Sequence, residues 1–328
     1  VPLTMLCGGN EVFFDATNPD ARTYVWEKIK KNYYDQGAKL FWLDVAEPEY
    51  SVYDFKNYRY QLGSVQEVGN IYPKYYLKAF YDGMTAEGDT MPISLIRSAW
   101  AGSAKYGALV WSGDIVSTFE CFQRQVQAGL NMAVAGIPWW TTDIGGFHGA
   151  RTDDPDFHRL YIRWFEYGCF CPVMRLHGNR NPQEGYAEQI GSGSDNEIWS
   201  FGDKAYEISK KYIFLRERLR DYIRTQMKKA HEDGTPMMRP VFYDFLTDQE
   251  SWNVEDAYLF GPDLYVAPVM EDHVTEREVY LPDGTAWFNA WTGEKYEGGQ
   301  NVTVAAPMDT IPVFVKEGAD TEHLLNIF

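Results

Sequence analysis

Lys39-Leu40-Phe41-Trp42-Leu43-Asp44-Val45-Ala46-Glu47-Pro48 is a short apolar run that ends abruptly on carboxylates. Four consecutive large apolar side chains bounded by polar residues read as a buried parallel strand, with Asp44 at its C-terminal end. Just upstream, Asn18-Pro19-Asp20 is a helix start: Asn18 can cap, and Pro19 suits the first helical position. The spacing predicts a helix over residues 21–34 with Tyr24, Val25, Ile29 and Tyr33 on one face, stopped by Gly37.

The alternation continues outward. A helix is expected over 73–84, a strand over 92–96 ending at Arg97, and a strand over 108–111 ending near Asp114. A helix around 119–129 leads to an apolar run over 132–137 that continues into Trp139-Trp140-Thr141-Thr142-Asp143. A helix over 156–167 leads to a run over 171–174 that ends at Arg175 and His177, and one long amphipathic helix is expected over 205–232. Five strands thus each place an ionisable side chain just past the C-terminal end. In a (β/α)8 barrel that is the active-site face. A doubly wound sheet would also bind ligands there. No G-x-G-x-x-G or P-loop supports a nucleotide site.

From about Pro236 the texture changes to short β-rich segments at 257–260, 264–269, 277–281 and 302–305, punctuated by Pro282-Asp283-Gly284 and Thr292-Gly293. This predicts an all-β module, a small sandwich. The expected division is a catalytic barrel portion over 1–234 and a β-sandwich domain over 235–328.

Composition narrows the partners. The chain has 328 residues, 16% aromatic, with 11 Trp and 23 Tyr. Flat rings stack on sugar C–H faces, so carbohydrate is a candidate ligand, although a large aromatic core accounts for many of them. A net charge of -17 disfavours nucleic acid and anionic membrane surfaces. No stretch of 18 apolar residues is present. Cys7, Cys121, Cys169 and Cys171 lack zinc-knuckle spacing and read as reduced thiols, which points to a cytoplasmic setting.

Single acids at strand ends are as readily caps or solvated loop residues as catalysts. Two such acids on neighbouring strand ends say more. Retaining glycoside cleavage needs one carboxylate to attack the anomeric carbon and a second carboxyl to protonate the leaving oxygen, about 5–5.5 Å apart. Asp44 and Asp114 are the candidates. Arg97 offers planar donors for a carboxylate or sugar hydroxyls, with a structural ion pair as the equal alternative. Trp111 would wall the pocket on one side.

These motifs, in this order, resemble glycoside hydrolase family 31, the retaining α-glucosidase and α-xylosidase family. Trp42-Leu43-Asp44 with Glu47-Pro48 resembles its nucleophile motif. Arg97-Ser98, Ala101-Gly102 and Trp111-Ser112-Gly113-Asp114 resemble its acid/base block. Gly136-Ile137-Pro138, Asp143-Ile144-Gly145-Gly146-Phe147, Met174-Arg175 with His177, Gly261-Pro262-Asp263 and Trp291-Thr292-Gly293 continue the match. The resemblance implies the fourth to eighth strands of a (β/α)8 TIM barrel followed by the β-sandwich. It implies Asp44 as nucleophile and Asp114 as acid then base. Arg97, His177, Trp111 and Trp42 would meet the sugar, Asp143 would line the polar pocket or stand just behind it, and Glu47 would support the nucleophile loop. No metal or cofactor is implied.

The implied activity is hydrolysis of terminal α-linked sugars by double displacement. The 45–49 continuation and Trp139-Trp140-Thr141-Thr142 lean towards α-xylosidases over α-glucosidases. The expected partners are an oligosaccharide or glycoside, the N-terminal part of the same enzyme to supply the earlier barrel strands, and a second copy in a homo-oligomer. An isolated half-barrel would expose sheet edges. A non-catalytic sugar-binding fragment is the alternative, and a metal-dependent hydrolase is disfavoured by the lack of H-x-H or H-E-x-x-H.

Overall fold

The computed structural model describes residues 13–48, 54–181, 193–318 and 320–328. Cys7 and Glu49 lie outside the described residues. The chain divides into two compact units, residues 1–111 and 112–328.

In the first unit, α1 (Pro19–Asn32) starts as expected: the Asn18 side chain accepts the Asp20 N–H, with Pro19 in the first turn. Its packed face differs from the predicted one. Tyr24 and Tyr33 are exposed, and Trp26 carries the contact, packing edge-on against Tyr34, Phe41 and Phe80. β1 (Phe41–Leu43), β4 (Ser94–Ile96) and β5 (Ala108–Trp111) form parallel pairs in the order β1-β4-β5, with Leu43 opposite Ile96 and Ile96 opposite Val110. Between β1 and β4 come α2 (Asp54–Asn57), the short hairpin β2 (Arg59–Tyr60) and β3 (Gly63–Ser64), α3 (Val65–Val68) and α4 (Tyr72–Ala86). β1 is not the fully buried strand expected. Leu43 is buried, but Trp42 is 54% exposed and the adjoining Leu40 is 81% exposed. Among the described residues only β4 pairs with β1, so β1 is an edge strand there.

In the second unit, α5 (Phe119–Val134) is capped by Thr118, whose hydroxyl accepts the Cys121 N–H at 3.1 Å. α5 extends through the first half of the run expected as a strand at 132–137, ending at Val134. Buried Val126, Gly129, Leu130 and Ala133 keep helical spacing, so that apolar run is the inner face of a helix end. The strand comes later, as β6 (Trp140–Thr141). α6 (Pro155–Cys169) is buried on every side from Leu160 to Cys169. The run at 171–174 is no strand: it meets β6 through one backbone bond, Val173 N–H to the Trp140 carbonyl at 3.2 Å. The single long helix expected over 205–232 is two, α7 (Gly202–Arg218) and α8 (Arg220–Glu232), meeting at buried Leu219. Leu219 continues the apolar period across the junction, so the pattern alone hides the break.

The β module follows. β7 (Met238–Arg239), β8 (Tyr258–Phe260), β9 (Leu264–Val266), β10 (Glu276–Leu281), β11 (Ala286–Asn289), β12 (Lys295–Glu297), β13 (Gln300–Ala305) and β14 (Val313–Lys316) make two antiparallel sheets, ordered β12-β11-β14-β9-β8-β7 and β10-β13. α9 (Thr321–Leu325) closes the chain. Val279, Leu281, Val302 and Val304 from the small sheet pack with Leu259, Tyr265, Trp287 and Phe314 from the large one, the interdigitated core of a sandwich.

Candidate active site

The parallel register of the first unit brings three charged candidates together. Leu43 and Ile96 are paired, so the residues after them, Asp44 and Arg97, leave adjacent strands side by side. The Arg97 N–H donates to the Leu43 carbonyl at 3.2 Å, which fixes the arginine's base. Its side chain then forks onto Glu47. Nε donates to both carboxylate oxygens at 3.0 and 3.1 Å, and Nη2 donates to Oε2 at 2.8 Å. Nη1 stands 3.4 Å from Asp44 Oδ1. Arginine's planar donors suit this two-sided grip. Val45 turns the chain between the two acids at φ 52°, and its N–H donates to Asp44 Oδ1 at 2.9 Å. Trp42 and Trp111 meet at 5.9 Å between ring centres, Trp111 buried and Trp42 open. Tyr76 sits near Asp44. Burial, and secondarily that carboxylate, push its phenol up to about 12.

The second unit holds Asp114, Asp143 and His177. Asp114 follows Gly113, which adopts φ 80°. Its loop is fastened to the loop after Asp143: the Phe147 and His148 N–H groups both donate to the Ile115 carbonyl, at 2.7 and 3.0 Å, and the Ser117 N–H donates to the His148 carbonyl at 2.9 Å. Gly146 makes the contact possible, because a Cβ there would lie 2.7 Å from the Ser117 Cα. Asp114 keeps an open carboxylate, its side chain 47% exposed.

Asp143 is fully buried. One oxygen pairs with Arg175, and Oδ2 has no hydrogen-bond partner. Burial pushes its carboxyl up to about 6 against the opposing pull of Arg175, and Asp114 adds to the rise. His177 lies flat against Phe147 at 5.4 Å between centres, and the Asn179 N–H donates to the Phe147 carbonyl. Arg180, also buried, donates to Asn196 Oδ1, the Ile144 carbonyl and Ser117 Oγ. It therefore braces both loops.

Of the residues expected from sequence, Trp42, Asp44, Glu47, Arg97 and Trp111 thus gather in one unit, and Asp114, Asp143 and His177 stand on joined loops of the other. Sequence reasoning missed Arg175 as the partner of Asp143, Arg180 as a brace, and His148, whose ring lies beside Asp114. Arg175 stood within a recognised motif, and His148 directly follows Gly145-Gly146-Phe147, so position was the available signal. Among the described residues no three His, Cys, Asp or Glu side chains gather as they would around a metal ion. No helix among them is long and apolar enough to cross a membrane.

Comparison with known proteins gives the site its setting. Residues 4–226 match the family 31 glycosyl hydrolase TIM-barrel domain, and residues 234–319 match the family 31 glycosyl hydrolase C-terminal domain. An α-xylosidase from Saccharolobus solfataricus is 35% identical over 311 residues, 93% of this chain and 41% of that protein. An uncharacterized family 31 glucosidase of Pseudescherichia vulneris is 60% identical over 175 residues, 53% of this chain and 33% of that protein. The crystal structure of a family 31 α-xylosidase from a soil metagenome, complexed with xylose, superposes with a TM-score of 0.93 at 56% identity, over 99% of this chain and 49% of that one. The chain therefore spans half or less of the length of these relatives. By sequence and by fold, it belongs to glycoside hydrolase family 31.

Proposed function

We propose that this chain carries the catalytic carboxylates of a retaining, exo-acting α-glycosidase. Asp44 attacks the anomeric carbon as the bond to the leaving oxygen breaks, and Asp114 gives that oxygen its proton. Asp114 then takes a proton from water, the water oxygen attacks the same carbon, and the Asp44 carboxylate is released. The observation that carries the reading is the Arg97 fork: it fixes the Asp44 loop through Glu47 at 2.8 Å, while its contact with Asp44 Oδ1, which also accepts the Val45 N–H, is the longer one at 3.4 Å. A positioned nucleophile needs that combination of restraint and availability.

Trp111 and Trp42 wall the sugar, and Arg97, Asp143 and His177 bind its hydroxyls. The unpartnered Oδ2 of Asp143 supports this role, since a buried acceptor without a donor gains most from a ligand hydroxyl. The barrel portion is taken as residues 1–234 and the sandwich as 235–328. Earlier barrel strands of the whole enzyme would pair with the edge of β1 and cover Trp42 and Leu40.

α-Xylosidase-like specificity is favoured over α-glucosidase. The similarity to α-xylosidases from an archaeon and a soil metagenome supports it, while a Bacillus α-glucosidase at 33% identity supports the alternative. The test uses the intact enzyme with nitrophenyl α-xyloside and α-glucoside. The expected result is faster turnover of the xyloside, with Asp44→Ala and Asp114→Ala each losing activity by about 10³-fold or more. With azide present, the Asp44→Ala variant should convert the nitrophenyl glycoside to an inverted glycosyl azide and nitrophenolate, because the attacking face is then open. Near-normal turnover by either variant would sink the assignment, and a non-catalytic sugar-binding role would replace it.

A further inference from the structure

His148 stands outside every role assigned above, yet its Nε2 lies 3.9 Å from Asp114 Oδ2. The two side chains are 48% and 47% exposed, so both open onto the same solvent-facing space. An ion pair so exposed contributes little to stability, and 3.9 Å is beyond hydrogen-bond reach. Stability therefore does not explain the placement. Its backbone does show how the placement is enforced. The His148 N–H and C=O are both engaged, with Ile115 and Ser117, on either side of the loop that Asp114 opens. The ring is backed edge-on by Phe147 at 4.5 Å between centres. The imidazole is thus held beside the carboxyl without touching it, as two groups are when both address a third.

We propose that His148 binds the leaving group of the substrate. The inference rests on the reading of Asp114 as the acid. A proton delivered by Asp114 goes to the glycosidic oxygen, so whatever is bonded to that oxygen lies next to the Asp114 carboxyl. A hydroxyl on the adjacent carbon of a departing sugar sits about a hydrogen-bond length from the glycosidic oxygen, within reach of an imidazole nitrogen at the spacing seen. Nε2 can serve as donor or acceptor to such a hydroxyl. The ligand class is therefore a sugar leaving group with a free vicinal hydroxyl. An aryl leaving group offers no partner. In the second half-reaction the same residue would favour such a sugar over water as acceptor.

The experiment compares kcat/KM of the intact enzyme for a disaccharide and for the nitrophenyl α-glycoside of the same terminal sugar, in wild type, His148→Ala, His148→Gln and Asp114→Ala. Loss of one neutral hydrogen bond should lower the disaccharide-to-aryl ratio about fivefold to tenfold in His148→Ala, chiefly through KM. His148→Gln, which keeps a donor and an acceptor, should recover part of it. Thermal melting of both variants identifies a folding defect, and the Gln variant decides if the Ala variant is unstable. An unchanged ratio while Asp114→Ala loses hydrolysis overturns the role of His148 and leaves the acid assignment standing. Normal hydrolysis by Asp114→Ala overturns both.

Discussion

Arg97 holds Glu47 by three hydrogen bonds of 2.8–3.1 Å, while its Nη1 stands farther from Asp44, at 3.4 Å. The nearest carboxylate to the guanidinium is thus not the proposed nucleophile. Glu47 takes the short hydrogen bonds from Nε and Nη2, and Asp44 has the longer ion-pair contact with Nη1.

Glu47→Gln tests that division of labour. The amide keeps one acceptor but loses the charge, so Arg97 should turn towards Asp44 and hold its oxygen away from the sugar. One charge-assisted hydrogen bond redirected in this way is worth about 1.4 kcal/mol, so kcat should fall about tenfold. Glu47 is a third exposed, and the melting temperature should move little. A steady-state assay beside a thermal melt checks both halves, and an unchanged kcat would remove Glu47 from the mechanism.

Gly146 bears on the other carboxylate. It adopts φ 78°, and an added Cβ would fall 2.7 Å from the Ser117 backbone. Gly146→Ala therefore combines a disfavoured dihedral with a backbone collision, about 1–3 kcal/mol for the dihedral alone. The loop should move rather than the whole unit unfold, and it carries the attachments to Ile115 and Ser117 that place Asp114. The expected result is a loss of hydrolysis far larger than the loss of stability, read from kcat and a denaturant titration on the same sample.

Arg163 and Glu166 form an ion pair buried on α6 at 3.1 Å. Arg163 also donates to the carbonyls of Val274, Ala306, Pro307 and Thr310, tying α6 to loops of the β module. Burial pushes the Glu166 carboxyl up to about 8 despite Arg163. The two partners should then respond unequally. Arg163→Met strands four carbonyls and an acid, and is expected to cost about 3–5 kcal/mol. Glu166→Gln removes a charge the site already disfavours, and should cost under ~1.5 kcal/mol. Denaturant midpoints would show the asymmetry, and equal losses would contradict it.

What the sequence discloses depends on whether the signal is local. The run from Ala108 to Trp111 reads correctly because its neighbours on both sides are turn-forming and polar. The run at 132–137 misleads because a buried helix end and a buried strand are both continuously apolar. β7, β11, β12 and β14 pass unread, being two to four residues each with no clean alternation. Ordered motifs identify Asp44, Asp114, Asp143 and His177 as candidates. The pairing of Asp143 with Arg175, 32 residues away, and the placement of His148 beside Asp114, depend on how loops meet, which no local pattern encodes.

Asp143 gives the clearest dependence on pH. Its ordinary aspartate value of 3.8 is pushed up to about 6 by burial in the fold. Below pH 4 the carboxyl is protonated in both folded and unfolded chains, and it contributes no difference. Between about 4 and 6 the unfolded chain releases this proton first, so rising pH favours unfolding. Above 6 both states are ionised and the penalty is complete, on the order of 3 kcal/mol. Asp143→Asn abolishes the titration. It also weakens the contact with Arg175, a loss that does not vary over this range. The stability difference, wild type minus variant, should therefore decline from pH 4 to 6 and then level off. Denaturant unfolding of both proteins at pH 4, 5, 6 and 7 measures it. A difference that stayed flat, or that rose with pH, would mean that Asp143 is ionised in the fold at acid pH and that Arg175 outweighs burial.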